Sequence, residues 1–174
     1  NDAKVPESDI VARVQLLNSL GYNVMVSDYT RYFSLRAYFR QFTQLQIGIV
    51  MGMVNVKQIF DENFYRGVEG GILEGFGKLF PDNTRLFIYP EMNEDGQISE
   101  FTDVKVPEHL RFLYRHLLEN GFLHGIECSD PALFNIYSRK ILKQLGSGQG
   151  GWQESLPDGV AQEIIEYKFF GYRG

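Results

Sequence analysis

The sequence predicts an α/β fold: an open, mostly parallel, Rossmann-like sheet with flanking helices and one β-hairpin. Three observations carry this. Apolar runs at 47–51 and 85–89 are separated by segments with apolar residues at helical spacing, the alternation that builds βαβ units and a parallel sheet. The tetrapeptide Asn93-Glu94-Asp95-Gly96 has the chemistry of a tight hairpin turn. Of 174 residues, 44% are apolar and 14% aromatic, enough to bury a core and well outside disordered compositions.

In chain order, the first helix is predicted from Ser8 as N-cap, through Val11, Val14, Leu17 and Leu20, to a stop at Gly21. Residues 22–27 form a short apolar run that reads as a strand leading to Asp28. Phe33, Leu35, Tyr38, Phe39 and Phe42 return to helical spacing over 30–42. The run 47–51 is apolar on both faces, as in the middle of a parallel sheet. Helices at 54–60 and 71–80 follow, then a strand at 85–89 stopped by Pro90. Gly75 and Gly77 inside the second of these helices cost about 1 kcal/mol each relative to alanine, which implies close approach of a neighbour or of a ligand.

Residues 97–104 are the hairpin's expected return strand, and Pro107 opens a helix through Leu110, Leu113, Leu117 and Leu118 that ends at Gly121. Residues 133–137 read as a strand, 138–145 as a short helix, 146–151 as a glycine-rich link and 157–167 as the final helix. The whole chain, 1–174, is expected to form a single α/β domain. It begins without Met, which reads as a processed product or as the C-terminal part of a longer protein.

Charge and cysteine use narrow the function classes. Seventeen Lys and Arg stand against 22 Asp and Glu, a net charge of −5 with no basic stripe, so nucleic acid is not an expected partner. The one cysteine, Cys128, allows no intrachain disulfide, and a reducing cytoplasmic setting is expected. No apolar run approaches the roughly 20 residues a membrane helix needs, and Asn1-Asp2-Ala3-Lys4 lacks a signal peptide's layout, so no membrane partner is expected.

Parallel sheets hold ligands beyond the carboxyl ends of their strands, which draws attention to 28–31, 52–55, 90–91 and 138–140. Glu91, Asn93, Asp95 and Gly96 echo half of a calcium loop, but Thr102 occupies the place of its bidentate glutamate, and a plain hairpin fits better. His109 and His116 share a helix face, with His124 and Cys128 beyond them, yet the tight paired spacing of zinc modules is missing and no metal site is assigned. Cys128 has no activating cation close in sequence, and there is no Gly-x-Ser-x-Gly elbow, so no catalytic nucleophile is assigned. The 146–151 glycines follow a helix instead of joining strand to helix, as a connector would.

Two cationic groups remain. Ser138, Arg139 and Lys140 at a helix start combine a hydroxyl, two cations and free N–H groups, a phosphate-binding arrangement or else a cap with solvated neighbours. Arg31, Arg36 and Arg40 accompany the helix after Asp28, where they bind an anion or pair with surface carboxylates.

The stretch Ser138-Arg139-Lys140-Ile141-Leu142, a glycine-containing gap, then Leu156-Pro157-Asp158-Gly159-Val160, with an aromatic ending at Phe169, Phe170 and Tyr172, resembles the C-terminal end of nicotinate or nicotinamide mononucleotide adenylyltransferases. Gly52 and Asn55 after the 47–51 run are similar to that family's central strand-then-Gly-x-Asp segment. The resemblance covers roughly the last 35 residues and a short central stretch. Arg139 stands at the family's threonine and Leu142 at its arginine, and the family's histidine pair has no counterpart. The resemblance implies a nucleotidyltransferase-like domain: Ser138, Arg139 and Lys140 would bind phosphate, Gly52 and Asn55 would meet the nucleoside, and magnesium with ATP would serve as cofactor. A non-catalytic α/β module for a partner or a small anionic ligand is the competing expectation, its binding face drawn from Tyr29, Tyr32, Phe33, Phe64 and Tyr65.

Overall fold

A computed structural model describes residues 5–81, 83–93, 95–127 and 130–173. The chain divides into two compact units, Asp28–Pro131 and the pair of segments Asn1–Ser27 with Ala132–Gly174. All strands of the described residues belong to the first unit.

That unit is a mixed α/β layer built on an open parallel sheet. Strands β1 (Ile47–Gly52), β2 (Thr84–Tyr89) and β5 (Leu123–Gly125) lie in the order β1-β2-β5, all parallel. The expected mid-sheet place of β1 is corrected, because β2 is central and β1 lies at the edge. Burial follows: Leu86 and Ile88 of β2 are fully enclosed, whereas Val50 of β1 is 64% exposed. The third strand escaped the sequence reading because three residues carry no usable period. It is fixed by Leu86 N–H donating to Phe122 O (2.9 Å), Ile126 N–H donating to Ile88 O (2.9 Å), and His124 stacking across the ladder on Phe87.

Helices α2 (Tyr32–Phe39), α3 (Met53–Ile59), α4 (Gly71–Leu79) and α5 (Arg111–Glu119) flank the sheet, and all four meet their expected places within a few residues. Their inward faces build one core with β2. Phe60 packs on Phe76 at 5.0 Å and edge-on to Tyr114 at 5.3 Å. Burial raises the phenol of Tyr65 above the ordinary tyrosine range and pushes that of Tyr114 up to about 12. Both hydroxyls are satisfied, Tyr65 donating to Ile59 O (2.8 Å) and Tyr114 to Phe101 O. The expected hairpin is a two-stranded antiparallel sheet of β3 (Glu91–Met92) and β4 (Ile98–Ser99). Its return strand is shorter than 97–104, since Phe101–Asp103 turns into a 3₁₀ helix closed by reciprocal Glu100 and Asp103 side-chain bonds.

The second unit is helical. Helix α1 (Glu7–Ser19) starts one residue ahead of Ser8, so Ser8 is not its cap; Pro6 O accepts the first N–H groups, and Glu7 and Asp9 favour the positive end of the dipole. Gly21 ends this segment as expected, at φ +84°, with Tyr22 N–H reaching back to Leu17 O. Helices α6 (Ser138–Ser147) and α7 (Val160–Tyr167) complete the unit around Trp152, Leu145 and Ile164. The expected glycine-rich link is shorter at its start, because Gly146 and Ser147 belong to α6.

Two expected strands are absent. Residues 22–27 have no regular structure, with Tyr22 and Val26 more than 60% exposed, and Pro131–Asn135 is a 3₁₀ helix. Neither segment has a strand beside it, and an apolar run without a ladder partner does not become a strand. No described helix is long and apolar enough to cross a membrane.

Candidate functional site

The sequence-derived site residues fall into different settings. Gly52 ends β1 and is buried, and a Cβ there would stand 2.8 Å from Tyr89 Oη. The tyrosine, the cross-strand partner of Gly52 on β2, thus lies on the bare glycine. Asn55 is half-buried in α3 and donates through Nδ2 to Tyr32 Oη. Beside them Lys57 Nζ pairs with Glu91 Oε1 at 3.0 Å. No loop separates β1 from α3, which begins at Met53 with Gly52 as its N-cap. The strand order adds a topological reason: β1-β2-β5 runs in one direction, so the sheet has no reversal at which a crevice opens.

Ser138, Arg139 and Lys140 open α6, in the helical unit. The strand expected to lead into them is the 3₁₀ helix described above, which removes the sheet-rim argument for this site. All three side chains are exposed. Ser138 lines a groove of about 360 Å³ whose walls are Leu16, Leu20, Ile141, Leu145 and Ile164, with Arg13 as its one charged group among the described residues; neither Arg139 nor Lys140 lines it. The lining beside the serine is apolar apart from Arg13.

The other candidates have structural tasks. His109 Nε2 meets Glu62 Oε2 at 2.9 Å, His116 Nδ1 lies 3.2 Å from Asn120 Nδ2, and His124 stacks on Phe87; among the described residues no three of His, Cys, Asp or Glu gather. Asn93 Oδ1 accepts from the N–H groups of Asp95 and Gln97, as a turn residue does. Arg31 donates to Arg66 O (2.6 Å), and Arg40 Nη1 to Thr43 O and Leu45 O, so both secure loops. Cys128 lies outside the described residues.

A different constellation lies where α2 packs on α4. A cleft of about 560 Å³ is walled by Tyr29, Phe33 and Tyr38, and its described charged residues, Arg36 and Lys78, are both cations. That volume falls within the span of small-molecule pockets. Tyr29 and Tyr38 lie with centroids 5.7 Å apart, and Lys78 Nζ sits 5.9 Å from the centre of Phe33. Arg36 Nη2 donates to Pro81 O at 3.2 Å, which steadies the guanidinium at the wall. Lys78 also pairs with Glu74, whose carboxyl is held below its ordinary range by that bond and by the Gly70 N–H.

Sequence reasoning flagged Arg36, Tyr29, Phe33 and Gly77 separately and missed Lys78 and Tyr38. Lys78 carried no signal, being one exposed lysine on a helix. The sequence matches no family model and no curated protein.

Proposed function

We propose that this chain is a non-catalytic α/β module that binds a small anionic ligand, in a cytoplasmic setting, in preference to an adenylyltransferase. The observation that carries this reading is the engagement of the two expected nucleoside residues within the protein: Tyr89 lies against Gly52, and Asn55 is hydrogen-bonded to Tyr32. Further support comes from Arg139 and Lys140, which stand exposed outside any cleft described, while the aromatic and cationic cleft of the sheet unit has the make-up of a ligand site. The open parallel β1-β2-β5 sheet is not tied to one chemistry, so the reading rests on these residues and the cleft and not on the strand order.

Adenylyl transfer depends on positioned phosphates more than on covalent chemistry, so its test is turnover. Incubation with ATP, nicotinate mononucleotide and magnesium is expected to yield no dinucleotide and no pyrophosphate above a protein-free control. Dinucleotide formation that falls with Ser138→Ala or Arg139→Ala would overturn the proposal in favour of the transferase.

A further inference from the structure

Two glycines lie in the interior of α4, and among the described residues only one meets a packing neighbour. At Gly75 a Cβ would lie 2.1 Å from Tyr65 Cε1, a ring fixed by its own buried hydrogen bond, so the bare backbone is what lets α4 seat against Tyr65. At Gly77 a Cβ would meet nothing within 4 Å. Its backbone is not in the left-handed region, so no turn demands glycine there either. The helix bears a propensity cost of about 1 kcal/mol for an atom that would fit. What Gly77 does border is the cleft between α2 and α4.

The walls of that cleft state what would use the space. Three aromatic rings present faces or edges, Tyr29 being 44% exposed. Such rings stack on a planar ligand. The described charged residues of the lining are Arg36 and Lys78, both positive in a chain of net charge −5. Lys78 is paired with Glu74, so an anionic group would share or replace that carboxylate, and the Arg36 guanidinium, steadied at Pro81 O, has the planar donor geometry that suits phosphate or carboxylate oxygens. The bare Cα of Gly77 lets a flat group lie against the helix backbone, as glycine does wherever a ligand must come close.

We infer that the α2/α4 cleft binds a small anion bearing an aromatic ring, with the ring lying against the Tyr29–Tyr38 wall and the backbone of Gly77, and the anionic group at Arg36 and Lys78. This rests on the binding-module reading and gives it a place and a ligand class. Neither half of the ligand suffices, since the rings offer no charge and the cations no shape.

The test is calorimetric titration of the full chain with phenyl phosphate, and separately with phenol and with inorganic phosphate. Phenyl phosphate is expected to bind saturably, at least tenfold tighter than either fragment. Gly77→Leu, which fills the floor of the cleft, is expected to abolish this binding while far-UV circular dichroism and the melting transition persist. Lys78→Gln is expected to weaken phenyl phosphate several-fold and leave phenol unchanged, with Lys78→Arg restoring affinity. Absence of binding, equal affinity for inorganic phosphate, or phenyl phosphate binding that survives Gly77→Leu would overturn the assignment. Those failures are distinct from failure of the non-catalytic reading, which shows only as dinucleotide formation in the transfer assay.

Discussion

Trp152→Ala is expected to lower the stability of the chain by about 3–5 kcal/mol, the cost of a large cavity at a site that cannot collapse. Trp152 is 2% exposed, lies edge-on to Tyr172 at 5.7 Å and shares its cluster with Leu145 and Ile164. The helical unit has few other residues that could fill the space, because its core is a single small cluster. Urea denaturation followed by circular dichroism is the measurement, since the substitution removes the chain's one tryptophan and its fluorescence. Arg139→Ala, at an exposed position of α6, is the control, expected within about 0.5 kcal/mol of the parent. A Trp152→Ala loss no larger than that of Arg139→Ala would contradict the packing described.

Gly75→Ala and Gly77→Ala, two residues apart on α4, are expected to change stability in opposite directions. At Gly75 the new methyl meets a buried ring, and the overpacking costs about 1–3 kcal/mol, more than the helix propensity it gains. At Gly77 the methyl enters open space, and propensity acts alone to stabilise by about 1 kcal/mol. Thermal melts of the two variants decide it. Stabilisation by both would mean that Tyr65 shifts freely, and destabilisation by both would mean that the space beside Gly77 is not open.

Much of the fold was readable wherever periodicity and length coincided. Helices α3, α4 and α5 have apolar stripes of two turns or more bounded by Pro or Gly, and β2 is a six-residue run closed by Pro90. Short apolar runs were ambiguous in both directions. Residues 22–27 and 133–137 looked like strands, and Leu123–Gly125, which is one, looked like nothing, because pairing is decided by a distant neighbour. The same limit hid the edge position of β1, since a continuous apolar run fits an edge as well as a centre when one face stays open, as at Val50.

The candidate site divides along that line too. Gly77 was visible as an anomaly, a helix-interior glycine needing a neighbour or a ligand, but choosing between them required its surroundings. Arg36 and Lys78 are 42 positions apart, and nothing local to either announces the other. Ser138-Arg139-Lys140 was the more legible group because cations at a helix start are a local pattern. Exposure and an apolar neighbourhood are not local properties, and they count against it.

Backbone amide chemical shifts recorded while phenyl phosphate is added to the isotope-labelled chain compare the competing places in one experiment. Saturable shifts are expected at Tyr29, Ser34, Tyr38 and Gly77, with Ser138, Arg139, Lys140, Gly52 and Asn55 unmoved. Shifts confined to the start of α6 or to the junction of β1 and α3 would contradict the α2/α4 cleft as the place where the anion binds.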